Sequence, residues 1–291
     1  MTGRTSPAPA IATGRTARPL RWFFVLAYAL SWLWLVPIAL SGGTVIGGHG
    51  WPTHFPALAG PALAAVSVTA AYGGRRGLAG LGRRMLAVQV PVRWWSVALS
   101  PLLLLPVVLA VTAATGQPLP PLADFAVING VPASWGVAGV ALAVLLVNGF
   151  GEETGWRGYA LPCAQARWSP LRSTLVVSVG WAGWHAPMFL VLQSFRGFTA
   201  VTVVGWFIGL LCGAVVLTWL YNRSGGSIAL VAVWHAAYNM VSATKAAEGL
   251  LAATSTTLVI TAAFFLIALE LFAARRGTPS VLAPPAGTGR P

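Results

Sequence analysis

The chain reads WFFVLAYALSWLWLVPIAL at residues 22–40, an apolar run of 19 residues without a charged side chain. A helix needs about 20 apolar residues to cross the hydrocarbon core of a bilayer. The run is also longer than the usual apolar region of a signal peptide. It therefore predicts a retained membrane-spanning helix, with a cleaved signal peptide as the alternative.

Further apolar segments of similar length follow the first one. They lie at residues 55–73, 94–114, 133–152, 171–193, 199–221, 227–243 and 252–273. Only 8% of the 291 residues are charged and 57% are hydrophobic, whereas soluble domains carry roughly 25% charged residues. Such a chain cannot cover a water-facing surface, which excludes a soluble enzyme. We predict an all-α fold, a multipass membrane bundle of about eight transmembrane helices.

Positive charge is distributed unevenly among the connections between these segments. Of the 18 Lys and Arg residues, all except Arg196 and Lys245 fall in the termini or in one alternating set of connections. Cytoplasmic loops carry such an excess, so we predict that both termini are cytoplasmic. The formal charge of +13 is then a topology signal, with anionic lipid headgroups as its partner and no role for nucleic acid.

The chain is expected to consist of one membrane domain between two tails. Residues 1–20 and 276–291 are rich in Pro, Thr and Gly or Ala, which predicts disordered cytoplasmic tails. Residues 21–275 then form the membrane domain. Near its end, Glu270 is expected to reach the interface beside the basic residues that follow it.

Two of the five acidic residues are adjacent, at Glu152 and Glu153. We expect them at the cytoplasmic end of the fourth helix. Glu153 and Arg157 are four residues apart and can pair on one helix face. Glu152 points about 100° away and has no basic residue at that spacing, so in a partly dehydrated cavity it is suited to act as a general base. The alternative is that both acids are solvated among the headgroups.

Further polar residues interrupt the apolar segments. His185 is expected near the middle of the fifth helix, and His235 about eight residues into the seventh, one turn before Asn239 on the same face. Ionisable residues within a membrane are costly and mark functional sites by default. A hydrogen-bonded packing residue is the alternative for a single histidine. His54 is expected to be exposed in the first outer loop.

These residues allow two chemistries. In one, Glu152 and His185 activate a water molecule, while His235 and Asn239 donate hydrogen bonds to the oxyanion that forms at a peptide carbonyl. In the other, Glu152, His185 and His235 bind one divalent metal such as zinc, with water in the open position. The spacing does not decide between them, so the cofactor stays open.

Taken together, the polar motifs resemble those of the CAAX prenyl endopeptidases and bacteriocin-processing enzymes, the CPBP, Abi or type II CAAX family of intramembrane proteases. The matching residues, all within residues 135–241, are Glu152-Glu153-x-x-x-Arg157, an aromatic residue four positions before His185, and His235-x-x-x-Asn239. The family usually has Phe where this chain has Trp181, a change expected to keep an aromatic wall.

The resemblance implies an intramembrane endopeptidase that cleaves a lipidated or membrane-associated substrate from a cavity open to the cytoplasm. It implies that Glu152 is the base and that His185 assists it. His235 and Asn239 would form the oxyanion site. The supporting residues would be Glu153, Arg157 and Trp181.

Two other classes of function stay open from the residues alone. One is a proton-coupled transporter that uses the same buried acid and histidines, and the other is a non-catalytic membrane scaffold. A transporter needs a polar path to the outer face, where the helices offer little beyond Ser and Thr. Because 17 of the 18 basic residues are Arg, we expect a bacterial plasma-membrane protein with a peptide or protein substrate. The oligomeric state is not predicted.

Overall fold

Helices make up most of residues 18–285, the part of the chain that this computed structural model describes. Eight helical segments follow one another, each matching one predicted apolar segment. They are α1 (Arg18–Leu40), α2 (Phe55–Met85), α3 (Val92–Ala98 with Ser100–Ala114), α4 (Ala133–Gln165), α5 (Pro170–Val191), α6 (Ala200–Arg223), α7 (Ile228–Ser242) and α8 (Leu250–Arg276). No strand occurs among these residues, only the isolated bridges Val45–Leu192 and Gly47–Asn129. The predicted all-α membrane fold is confirmed.

The eight segments differ in their ability to cross a membrane. Within residues 18–285, six helices are long and apolar enough, and α3 makes a seventh if its two parts, bent by 69°, count as one span. Helix α7 is apolar but only 15 residues long, short of the roughly 20 that a bilayer requires. Most of its side chains are buried by other helices, so protein surrounds α7 where lipid surrounds an ordinary span.

Connections between the helices collect at two ends of the bundle. At the loop end, residues 41–54 pair with residues 128–130 and 191–193 through backbone hydrogen bonds. At the basic end, the Arg84 guanidinium donates to the Tyr221 hydroxyl and joins the ends of α2 and α6. The loop end carries Arg196 and Lys245, and the basic end carries Arg83, Arg84, Arg223, Arg275 and Arg276. This distribution agrees with a cytoplasmic basic end, which stays a prediction.

Two hydrophobic clusters build the interior, and α4 and α7 contribute to both. The larger cluster includes Trp156 of α4 and Trp234 of α7. The smaller cluster lies beneath the loop end and includes Val144 of α4 and Ala236 of α7. The change from one cluster to the other therefore falls between residues 144 and 156 of α4 and beside residue 235 of α7. Both predicted acids and one predicted histidine lie in this boundary zone.

The predicted tails lie partly outside the described residues. Residues 1–17 and 286–291 are not described, and α1 already begins at Arg18. Residues 277–285 turn back onto the bundle, where Leu282 is fully buried and its carbonyl accepts a hydrogen bond from Asn222. Glu270 accepts from the Ser280 hydroxyl and from the Leu282 N–H group. The prediction that Glu270 reaches out to the interface is wrong, because these donors satisfy it inside the fold.

Candidate active site

Helix α4 places Glu152 and Glu153 at mid-length rather than at a helix end. Glu152 lies 19 residues after Ala133 and 13 before Gln165. The side chains of Glu152 and Glu153 are 2% and 0% exposed. The predicted position at the helix end is wrong, and so is the alternative in which the headgroup region solvates both acids. The sequence segment was predicted to end at residue 152 because it becomes polar there, but the helix continues as a buried element.

Unusual backbone winding surrounds the two acids. Helix α4 adopts π geometry at Val144–Phe150 and at Trp156–Ala160, with one α-helical turn, Gly151–Gly155, between them. Such π segments are rare and are frequent at functional sites. A Cβ atom on Gly151 would lie 2.7 Å from the Leu58 carbonyl oxygen of α2. Glycine is therefore required where the α4 backbone contacts α2.

The predicted ion pair between Glu153 and Arg157 is confirmed. Arg157 Nη1 donates to Glu153 Oε1 over 2.9 Å, and both side chains are buried. His235 Nδ1 approaches the same oxygen from α7, at 2.8 Å. Buried charges are tolerated when they are paired and hydrogen-bonded. Glu153 thus links two helices and has the character of a structural acid.

Glu152 has a different environment, dominated by Trp181. The indole nitrogen Nε1 of Trp181 donates to Glu152 Oε2 over 2.7 Å. Among residues 18–285, no Lys, Arg or His nitrogen lies within ion-pair distance of Glu152. The expectation that Trp181 merely replaces a Phe as an aromatic wall is incomplete, since Phe has no N–H group to donate. The presence of Trp at this position was the sequence signal that could have predicted a hydrogen-bond donor here.

His185 ends the first part of α5 instead of lying in mid-helix. It follows Trp184, the last residue of the α-helical portion, and Pro187 then disfavours continued helix. Its Nδ1 contacts the Trp181 carbonyl oxygen at 2.8 Å. The Trp206 ring of α6 lies with its centroid 5.2 Å from the imidazole. The structure therefore places His185 beside Trp181, in contact with the same residue that binds Glu152.

Asn239 lies one turn beyond His235 on α7, as predicted, and is half-buried. Its side chain makes no hydrogen bond within the described part of the chain. Both N–H donors of its amide are therefore available to a bound group. The Trp181 ring centroid lies 5.6 Å from that of His235, so α5 and α7 meet at this level.

His54 is a residue whose position sequence reasoning missed. The expectation of an exposed loop residue is wrong: the imidazole is 6% exposed and lies edge-on to Phe55, 5.2 Å between centroids. Burial, and secondarily the neighbouring His185, lower the pKa of His54 to about 3. The ring is therefore neutral at physiological pH. Only the folding of residues 41–54 onto the bundle brings it near His185, and no local sequence pattern reports that contact.

The predicted metal ligands do not form a compact set. Across residues 18–285, no three side chains of His, Cys, Asp or Glu are grouped as one metal ion requires. The Nδ1 atoms of His185 and His235 are both engaged in hydrogen bonds, which leaves Nε2 as the only free ring nitrogen of each. As placed, Glu152, His185 and His235 do not fit a three-ligand site.

Comparison with known proteins finds similarity in the segment that carries these motifs. Residues 134–241 match the family model of the type II CAAX prenyl endopeptidases, Rce1-like. The matched segment is therefore similar to that family, which is a likeness of this part of the chain. A CAAX prenyl protease 2 from Methanococcus maripaludis is 30% identical over 135 residues, which make up 45% of this chain and 48% of that protein. The chain thus spans about half the length of this curated relative.

The segment that is similar to the Rce1-like family contains the whole candidate site. It starts one residue before Trp135, where the resemblance was predicted to begin, and both end at residue 241. Helices α1, α2, α3 and α8 lie outside it. They nevertheless support the site, because α2 packs against the glycines of α4 and the α1–α2 loop carries His54.

Proposed function

We propose that this protein is an intramembrane endopeptidase that hydrolyses a peptide bond of a membrane-associated substrate. The observation that carries the proposal is the contrast between two adjacent buried acids. Glu153 is committed to Arg157 and His235, whereas Glu152 is held by one neutral donor. A buried carboxylate without a cationic partner is suited to accept a proton from water.

In the proposed reaction, Glu152 Oε1 removes a proton from a water molecule while the water oxygen bonds to the carbonyl carbon. The carbonyl oxygen becomes an oxyanion in the tetrahedral intermediate. When the intermediate collapses, the carbon–nitrogen bond breaks and the proton on Glu152 passes to the amine nitrogen. The products are a carboxylic acid, which keeps the second proton of the water until it ionises, and an amine, and Glu152 returns to its ionised form.

His185 is assigned the assisting role through its tautomer. If Nδ1 carries the proton and donates to the Trp181 carbonyl oxygen, the lone pair of the neutral ring is on Nε2. That nitrogen can accept a hydrogen bond from the attacking water and help to orient it. The carbonyl contact thus fixes which ring nitrogen is available.

His235 and Asn239 are assigned to the oxyanion. His235 uses Nδ1 toward Glu153, so an oxyanion bond must come from Nε2–H of a protonated ring. The adjacent carboxylate of Glu153 favours that protonated form electrostatically. Asn239 adds a neutral N–H donor one turn away. Donors fixed in a water-poor site stabilise the oxyanion more strongly than donors in water.

The substrate class follows from the relative and from the membrane setting. The relative is named a CAAX prenyl protease, which favours cleavage near a lipidated or membrane-anchored C-terminus. The Arg-rich composition favours a bacterial plasma membrane, where peptide maturation or processing of membrane proteins fits better than prenylated substrates. Anionic lipid headgroups are the proposed partners of the basic end.

The test compares two Glu→Gln variants in proteoliposomes with a fluorogenic peptide tethered to the membrane. Glu152→Gln keeps the shape of the side chain but cannot accept the proton, so we expect cleavage to fall by at least about 100-fold. Glu248→Gln is the matched control, because Glu248 is exposed, and it should cleave like the wild type. Wild-type turnover by Glu152→Gln would contradict the proposal.

A bound metal is the alternative way to activate the same water. The wild-type preparation is therefore analysed for metal content and assayed after chelation. Loss of activity on chelation, restored by one equivalent of zinc, would show that a bound metal activates the water and would contradict the metal-free reaction. Full activity without stoichiometric metal would support the glutamate-based one.

A further inference from the structure

Trp181 contacts four of the five charged or titratable members of the candidate site, all except Glu153. Its indole N–H donates to Glu152 and its carbonyl oxygen contacts His185 Nδ1. The guanidinium carbon of Arg157 lies 4.5 Å from the centre of its ring. The centroid of the His235 ring lies 5.6 Å from that of Trp181. Four members of the site thus meet around one residue.

We propose that Trp181 is a positioning residue that decides which carboxylate oxygen of Glu152 meets the attacking water. The proposal rests on the peptidase function above. The indole N–H occupies Oε2, so Oε1 is left for the water. Without this bond, rotation about the last side-chain torsion would exchange the two oxygens, and either one could face the substrate.

The indole is well placed for this role because it is immobilised itself. Trp181 is 7% exposed, and the Arg157 guanidinium against its face adds a cation–π contact. Glu153 fixes Arg157 through an ion pair, and Arg157 packs on the Trp181 ring. The Trp181 indole in turn hydrogen-bonds to Glu152. Hydrogen bonds to ionised groups are roughly twice as strong as neutral ones.

Helix α5 provides a matched control three residues further on. Trp184 is fully buried, and its Nε1 is buried without a hydrogen-bond partner. Replacing either Trp by Phe removes an indole N–H group and leaves a cavity of similar size. Only the Trp181 substitution removes a bond to Glu152. A difference between the two variants therefore reports the hydrogen bond to Glu152 and not the lost volume.

The kinetic experiment measures kcat and KM of both variants on the tethered peptide. We expect Trp181→Phe to lower kcat about 10-fold with KM unchanged, the effect of one hydrogen bond to an ionised group. Trp184→Phe should stay near the wild type in kcat. Equal kcat values in the two variants would overturn the proposal, as would a rise in KM that accounts for the whole loss of Trp181→Phe.

A second experiment detects the contact without relying on activity. The protein is labelled with ¹⁵N at the indole nitrogens, and the Trp181 signal is assigned from its loss in Trp181→Phe. Glu152→Gln replaces an ionised acceptor by a neutral one, so the Trp181 N–H proton should shift upfield while the Trp184 signal stays in place. An unmoved Trp181 signal would overturn the proposal.

The two experiments separate the failure of the positioning role from failure of the peptidase function. If the Trp181 signal responds to Glu152→Gln but Trp181→Phe keeps wild-type kcat, the positioning role is overturned and the peptidase stands. If the wild type cleaves no tethered peptide, the peptidase function fails. The spectrum then decides by itself whether the indole holds Glu152.

Discussion

The two sides of α4 handle buried carboxylates in opposite ways. Toward α7, Glu153 is surrounded by Arg157 and His235 and closes an ionic network. Toward α5, Glu152 receives one indole N–H group and no cation. Adjacent residues of one helix thus reach different chemical environments because successive side chains point about 100° apart. Burial of an acid therefore does not by itself indicate its task; the identity of its donors does.

The largest expected effect is a contrast in stability between the two Glu→Gln variants. Glu153→Gln leaves Arg157 as an uncompensated buried cation, which should cost about 3–5 kcal/mol of folding free energy. Glu152→Gln removes a buried charge that has no cationic partner, so its stability should equal or exceed the wild-type value. Thermal unfolding in detergent measures both. Equal losses in the two variants would contradict the different roles assigned to the two acids.

A smaller effect is expected on the other side of the same site. Asn239→Ala removes a proposed oxyanion donor whose side chain has no partner in the described fold. We expect kcat to fall about 100- to 1,000-fold, with an unfolding temperature near that of the wild type because no hydrogen bond is broken. A variant that loses stability and activity together would assign Asn239 to packing.

The smallest effect concerns a third buried acid, Glu270, at the basic end. Like Glu152 it is held by neutral donors, here Ser280 and the Leu282 N–H group. Ser280→Ala should cost about 1–3 kcal/mol of folding free energy and leave kcat unchanged. Its control is Ser96→Ala, at an exposed hydroxyl that donates only to a backbone carbonyl in its own helix. A fall in kcat for Ser280→Ala would show that the environment of Glu270 affects the reaction at Glu152.

Local spacing predicted the features that depend on neighbours in sequence. The i,i+4 rule gave the Glu153–Arg157 pair and the shared face of His235 and Asn239. Apolar segment lengths predicted eight helical segments, each found in the structure. The motifs also predicted the family segment closely. In each case the information lies within one helix or in the order of helices.

The rest depends on contacts between distant parts of the chain. Trp181 lies 29 residues from the Glu152 that it binds, and His235 lies 82 residues from Glu153. The position of His54 depends on how the first loop folds onto the bundle. The π winding of α4 leaves no periodic signal in a segment that is apolar on most faces. Tertiary packing decides these features, so sequence patterns alone could not supply them.

The two π segments of α4 make the site sensitive to chain length. A π turn contains one residue more than an α turn because its hydrogen bonds reach one residue further. Deleting a single residue within Val144–Phe150 would restore α winding there and rotate the following turn by about 100° relative to the preceding part of α4. The Glu152 side chain would then lose its hydrogen bond to Trp181, although the residue itself is not substituted. Insertions and deletions in this segment are therefore expected to be as disruptive as replacing the acid itself.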